Sequence, residues 1–207
     1  MTCIIGYLDR LAQVGYIAGD SSRCDFEAGF QDTVFHSKVF ISVTHPDILI
    51  GATTSFRHID LLKYYDIFEG LKSSENLDHM FMVKNVVPRV HDLFGNCWTG
   101  DSNDNGANVI IVTPYALFEI QSDYSVISPS TNFIAVGFGA PYAMASLYTS
   151  DNHPRIDRGF YNEYPDNCSK RIEEDITVAM QCAERYAIGV HSPFLMLQTD
   201  GHHKILE

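Results

Sequence analysis

Basic charge is what this sequence has least of: 14 Lys and Arg stand against 26 Asp and Glu, a formal net charge of −12 at pH 7 with His neutral. Binding to nucleic acid or to an anionic membrane surface needs a basic face, so the balance speaks against both partners. No uninterrupted apolar run approaches the roughly 20 residues that a membrane-spanning helix requires. The amino-terminal segment lacks the basic-then-apolar layout of a signal peptide, since Asp9 and Arg10 interrupt it early. Cys3, Cys24, Cys97, Cys168 and Cys182 are an odd set with no C-x-x-C pair. That disfavours a disulfide framework or a zinc site and fits free thiols in a reducing cytoplasm. Internal repeats, low-complexity tracts and interdomain linkers are also missing. What these absences leave is a cytoplasmic protein whose residues 1–207 form one domain, with 45% hydrophobic and 12% aromatic residues available for a core.

The period of the apolar residues changes along the chain. Thr2–Leu8, Val14–Gly19, Val34–Val43 and Ile48–Gly51 read as strands. From Phe56 to Leu71, and again from beyond Glu75 to Phe94, apolar residues recur at helical spacing, with Pro88 expected to kink or split the second stretch. Strands return at Ala107–Val112, Ala116–Ile120, Tyr124–Ile127 and Phe133–Val136, and Gly139 opens a helix. The polar segment 150–169 reads as a long surface loop, and a helix follows from Lys170 to about Ile188. Phe194–Gln198 and Lys204–Leu206 close the chain as a hairpin around Asp200-Gly201. Because β and α do not alternate, a doubly wound parallel sheet is disfavoured. The pattern predicts an α+β fold, a four-layer αββα sandwich of two antiparallel sheets flanked by helix pairs.

Most local signals for chemistry are weak. Asp101-Ser102-Asn103-Asp104-Asn105-Gly106 matches half of a calcium loop, but position twelve is Val112, so an Asn-Gly turn is the better reading. His202-His203 reads as a solvated turn, and Gly137-x-Gly139 lacks the third glycine of a dinucleotide site. No cofactor is expected. Thr2 is different. Methionine aminopeptidases remove Met1 before a small residue, which would leave a free α-amine beside the threonine hydroxyl. That amine, with a reference pKa near 7.7–8.0, is suited to act as general base for its own side chain.

Context strengthens Thr2. Thr2-Cys3-Ile4-Ile5-Gly6, then Gly15-Tyr16-Ile17-Ala18-Gly19-Asp20-Ser21-Ser22-Arg23, then Val34-Phe35-His36-Ser37-Lys38-Val39-Phe40 resembles the opening of the proteasome β-subunits, and more closely the bacterial proteasome-like peptidase HslV. The likeness continues through Ile48–His58, Ala107–Gly139, Tyr142–Ser146 and Asp175–Met180, in order and over nearly the whole chain. It implies the N-terminal-nucleophile (Ntn) hydrolase fold, with Thr2 as nucleophile, Asp20 and Lys38 as its charged partners, and a backbone N–H at Thr54 or Ser55 for the oxyanion. A buried ammonium at Lys38 would lower the pKa of the threonine hydroxyl, and Asp20 would orient that lysine. By the same resemblance, the chain is a threonine endopeptidase that hydrolyses polypeptides inside a homo-oligomeric ring, with an ATP-dependent AAA+ unfoldase as a further partner. The pattern departs from the family in three places. Thr54 or Ser55 stands where the family has glycine, Phe138 replaces the serine of its Gly-Ser-Gly turn, and a late helical aspartate has only Glu184 or Arg185 nearby. Two other readings therefore stay open: a catalytically silent structural ring subunit, and a non-peptidase amidohydrolase of the same fold.

Overall fold

Strand β1 (Cys3–Asp9) is apolar on both faces, and this sets the layering. Cys3 and Ile5 enter a core shared with helices, whereas Ile4 and Leu8 enter a core shared with a second sheet. Side chains alternate along a strand, so a strand apolar on both faces must be covered on both. The computed structural model describes residues 2–25, 30–33, 37–53, 55–96, 107–152 and 165–206.

In the first sheet, β1 lies between β10 (Phe133–Gly137) and β2 (Val14–Asp20), and β2 is followed by β11 (Phe194–Gln198) and β12 (His203–Leu206), all antiparallel. The second sheet is a meander of β5 (Val39–Ile41), β6 (Leu49–Ala52), β7 (Val109–Val112), β8 (Leu117–Ile120) and β9 (Val126–Ile127). A hairpin of β3 (Ser22–Asp25) and β4 (Phe30–Thr33) stands apart from both. Helices α4 (Ala140–Asn152) and α5 (Pro165–Tyr186) cover the first sheet. Helices α1 (Phe56–Tyr64), α2 (His79–Phe81) and α3 (Val87–Asn96) cover the second. The four-layer αββα sandwich expected from the sequence is the observed architecture. Each fully buried Ile or Leu in its three cores contributes about 1.5–3 kcal/mol.

Between the sheets, small residues set the spacing. A Cβ at Gly6 would lie 2.7 Å from Ile110 Cγ2, and one at Gly15 would lie 2.5 Å from Val112 Cγ1. Substitution at either would push the sheets apart.

Several boundaries differ from the sequence reading. The strand expected over Val34–Val43 contracts to β5; residues 34–36 lie outside the described residues. Helix α1 stops at Tyr64 rather than Leu71, because Tyr65 is extended and Asp66 Oδ1 takes the N–H of Phe68. Pro88 is absorbed by a π-helical turn over Met82–Val86, where the Val87 N–H reaches back to Met82 O. The wider turn relieves the clash of the proline ring with the preceding turn. The strand expected at Tyr124–Ile127 keeps only its last two residues, since Tyr124 takes a left-handed turn conformation with φ 67°. Both ends of the segment expected as a surface loop, 150–169, are helical, and residues 153–164 lie outside the described residues. Helix α4 runs to Asn152, and α5 starts at Pro165, where a missing N–H is harmless in the first turn. The Asp200-Gly201 hairpin forms as expected. Among the described residues, no helix is long and apolar enough to cross a membrane.

Glu119 is a buried carboxylate in β8, and Asn108 Nδ2 donates to it at 3.0 Å. Burial pushes its carboxyl above the usual range, against a smaller opposite pull from Asn108. A raised carboxyl pKa destabilises the fold where the group is ionised, fully above the folded-state pKa, and the penalty vanishes below the unfolded-state pKa. Glu119→Gln keeps an acceptor for Asn108 without the charge. Thermal melts should show a higher Tm than wild type at neutral pH, with the gain fading as pH falls into the ordinary carboxylate range.

Candidate active site

The strand order brings three strand ends together. Thr2 immediately precedes β1, Asp20 ends β2 and Gly137 ends β10, and these strands are neighbours in one sheet. Ile4 faces the opposite sheet, and alternation places Thr2 on the same side, at one end of the layer between the sheets. Thr2 is 5% exposed.

Asp20 organises this end of the cleft. The ladder of β1 and β2 pairs Ile4 with Gly19, and one step beyond it Asp20 Oδ1 accepts the Cys3 N–H at 2.9 Å. The aspartate is thus attached to the peptide that links Thr2 to Cys3. Its second oxygen, Oδ2, accepts from Lys38 Nζ at 2.8 Å and from Ser22 N–H at 3.1 Å, and lies 2.5 Å from Ser22 Oγ. Lys38 and Asp20 are both buried, with side-chain exposures of 3% and 0%. Lys38 reaches Asp20 from the segment just before β5, and its own carbonyl accepts the Ala52 N–H of β6. Both sheets therefore position the lysine.

On the other flank, the turn Gly137-Phe138-Gly139 wraps the backbone of Thr2. The Gly139 N–H donates to Thr2 O at 3.2 Å. A Cβ at Gly137 would sit 2.3 Å from Thr2 O, and Gly137 holds φ +93°, so glycine is required there twice over. Phe138, at the centre of the turn, is 55% exposed.

Of the oxyanion positions expected from the sequence, Thr54 lies outside the described residues, and Ser55 caps α1 by accepting the Arg57 N–H at 3.2 Å. The preceding Thr53 N–H is taken by Asn108 O at 3.0 Å, so it is not available to a ligand. Glu184, near the position of the missing helical aspartate, accepts from the Ser192 N–H at 2.8 Å and so pins the loop after α5. Cys3 faces the helix-side core. Burial, and then the charge of Asp20, push its thiol strongly upward against the opposing effect of Lys38, which keeps it neutral and unreactive. The half calcium loop at Asp101–Gly106 lies outside the described residues. Among the described residues no group of His, Cys, Asp and Glu is arranged to hold a metal ion. Ser22 lies within the motif that carries the resemblance but was given no role there, although Asp-x-Ser is a signature of an Asx turn, which is the contact its N–H makes with Asp20.

Two five-stranded antiparallel sheets between helix pairs, with strand ends converging on a threonine at the head of a central strand, define the Ntn-hydrolase fold. Solved structures share this fold over 95–100% of the chain. BPH from Thiobacillus denitrificans, solved in complex with epoxomicin, superposes with a TM-score of 0.67 at 20% identity, covering 100% of both chains. Eukaryotic HslV from Trypanosoma brucei gives 0.60 at 16%, covering 95% of this chain and 98% of that one. Anbu from Pseudomonas aeruginosa, solved as a helical assembly of the Anbu complex, gives 0.64 at 17%, covering 100% and 83%. No family model and no curated protein sequence matches the chain.

Gly137 offers a test with an internal control. Gly201, in the hairpin turn, has nearly the same φ, +92°, but nothing within 4 Å of its would-be Cβ. Both Gly→Ala changes incur the left-handed strain of about 1–2 kcal/mol, and only Gly137→Ala adds a collision with Thr2. Chemical denaturation should rank Gly137→Ala as clearly the more destabilised; equal losses would contradict the packing described.

Proposed function

We propose that the chain is a threonine-type peptidase of the proteasome-like class that hydrolyses peptide bonds with Thr2, after cleavage of the Met1–Thr2 bond frees its α-amine. The observation that carries this reading is the buried Asp20 carboxylate, which joins the Lys38 ammonium to the backbone beside Thr2.

In this mechanism the Thr2 hydroxyl oxygen attacks the substrate carbonyl carbon and gives its proton to the α-amine, through a water molecule. Lys38 stabilises the negative charge that develops, from a cleft whose low dielectric strengthens its field. A backbone N–H in the Thr54–Ser55 segment holds the oxyanion. The C–N bond then breaks, the amine leaving group takes the proton back, and an ester joins the acyl group to Thr2. Water, activated by the same amine, hydrolyses that ester and restores the hydroxyl. Copies of the chain assemble into a homo-oligomeric ring around the sites; the solved helical assembly of Anbu supports self-association of this fold.

A second reading, a structural subunit without turnover, is favoured by one feature: an aromatic residue, Phe138, occupies the turn against Thr2. The non-peptidase amidohydrolase shares every catalytic group named here and differs only in substrate.

Intact-mass measurement on the native protein should find the chain beginning at Thr2. The T. denitrificans structure holds epoxomicin; an epoxyketone offers two electrophilic carbons, which suit a hydroxyl and an amine on one residue. Epoxomicin should therefore add its mass once per chain, and Thr2→Ala should abolish both the adduct and peptide hydrolysis while leaving the fold intact. A chain that retains Met1, or unchanged turnover by Thr2→Ala, refutes the threonine mechanism.

Lys38→Met keeps the aliphatic stem and removes the charge. It should lower kcat on fluorogenic peptides by on the order of 10²–10³-fold. It should also destabilise the fold by up to about 3–5 kcal/mol, because Asp20 is left buried without its ion partner. Adding Asp20→Asn should recover part of the stability and none of the activity. A structural subunit would reproduce the stability pattern with no turnover to lose.

A further inference from the structure

Ser22 opens β3 two residues beyond Asp20 and is 1% exposed. Its Oγ lies 2.5 Å from Asp20 Oδ2 and 2.5 Å from the carbonyl oxygen of Gly189, so a single hydroxyl proton serves two acceptors. The Ser22 N–H donates to the same Asp20 oxygen. Gly189 belongs to the segment that follows α5. That segment is joined to the β2–β3 junction at two further points: Ser21 N–H donates to His191 O at 3.4 Å, and Ser21 Oγ donates to Pro193 O at 2.6 Å. Glu184 holds the segment to α5 through the Ser192 N–H. The Asp20 carboxylate is therefore fastened from the first sheet through Cys3, from the second through Lys38, and from the α5 side through Ser22.

We propose that Ser22 is a positioning residue for the hydrolysis: it fixes the Asp20 carboxylate, and through it Lys38 and the backbone of Thr2, against the segment that follows α5. The inference rests on the threonine-nucleophile reading. The charges acting on Cys3, beside Thr2, are those of Asp20 and Lys38, while Glu184 and His191 form a pair at 3.7 Å in the α5 segment behind Ser22. Removing the Ser22 hydroxyl takes a donor from Asp20 and leaves more of its negative charge directed at Lys38 and the amino end of Thr2. Lys38 is held more tightly to Asp20 and stabilises the transition state less. The protonated α-amine is favoured, so the basic form needed for catalysis appears only at higher pH.

The test compares wild type, Ser22→Ala and Ser22→Thr as the full protein with Met1 removed, by kcat and KM on a fluorogenic peptide across pH and by thermal melts. Ser22→Ala should lower kcat about tenfold, the effect of losing one hydrogen bond to a charged group, with KM unchanged. The rising limb of its kcat–pH profile should move to higher pH, and Ser22→Thr should restore both kcat and the limb. A Ser22→Ala protein with lower Tm but wild-type kcat and limb would overturn the proposal, because Ser22 would then only support the fold. So would a Ser22→Thr protein as impaired as Ser22→Ala. If Ser22→Ala does not fold, Ser22→Cys takes its place: its thiol is a weaker donor, and an unmoved limb overturns the proposal equally. Wild type without turnover refutes the threonine-nucleophile reading itself, an outcome distinct from an active wild type whose limb Ser22 does not move.

Discussion

The arrangement at the mouth of the cleft depends on the burial of the Asp20 side chain, which is 0% exposed. A carboxylate taken out of water costs several kcal/mol unless donors replace its hydration. Here the donors are the Cys3 N–H, the Ser22 N–H and hydroxyl, and the Lys38 ammonium. They come from separate stretches of chain, so satisfying this one group obliges the start of β1, the β2–β3 junction and the segment before β5 to meet. A site is built where a buried charge is satisfied. The position of Thr2 follows, since it is the residue adjoining the Cys3 N–H.

The layering makes that burial possible. Central strands apolar on both faces need two covers, and the helices and the opposing sheet supply them. Gly6 and Gly15 let the sheets approach until Ile110 and Val112 fill the space where a Cβ would stand. The strand order then does what chain order does not. Strand β10 flanks β1 although more than a hundred residues separate them, so the Gly137–Gly139 turn closes on one side of Thr2 while Asp20 and Lys38 approach from the other. The nucleophile candidate is held by its backbone, through the Gly139 N–H to its carbonyl and through Asp20 to the next amide. That leaves its side chain without a packing duty in the helix-side core.

Residues whose role follows from a local pattern were legible before the structure. Two-sided apolar runs revealed β1 and β7, and the four-layer architecture followed from the order of periods. Thr2 was singled out by its place after Met1, whereas Asp20 and Lys38 were legible only through resemblance, because nothing local distinguishes a buried Lys38 from a strand lysine at a surface. In the structure Asp20 bonds both the Lys38 ammonium and the backbone N–H of Cys3, the residue after Thr2. Features that depend on tertiary contact were not legible. The β3–β4 hairpin is short and polar (Ser-Arg-Cys-Asp and Phe-Gln-Asp-Thr), with no alternating apolar signal. The end of α1 at Tyr64 is decided by a turn at Asp66, against an apolar pattern that continues to Leu71. The π turn before Pro88 is a compromise among backbone hydrogen bonds that composition does not encode. Ser22 illustrates both cases: its Asx contact with Asp20 is local, but its partner Gly189 is distant in sequence and adjacent only in the fold.

The buried ion pair itself weighs between the two functional readings. A subunit that only builds an assembly needs Asp20 as acceptor for the Cys3 and Ser22 N–H groups, but the charge of Lys38 adds little to such a fold. Replacing a buried ion pair by apolar residues of similar volume is often neutral, or stabilising by about 1–4 kcal/mol. What an apolar pair cannot supply is a fixed, buried positive charge held by the same carboxylate that binds the backbone next to Thr2. The electrostatic benefit of Lys38 arises only when negative charge develops on a neighbouring oxygen, because its field is otherwise largely spent on Asp20. An arrangement of little value to a static scaffold and of large value to a reacting threonine favours the catalytic reading. Phe138 stands outside this arrangement: the residue is 55% exposed, and the groups that satisfy Asp20 are Cys3, Ser22 and Lys38.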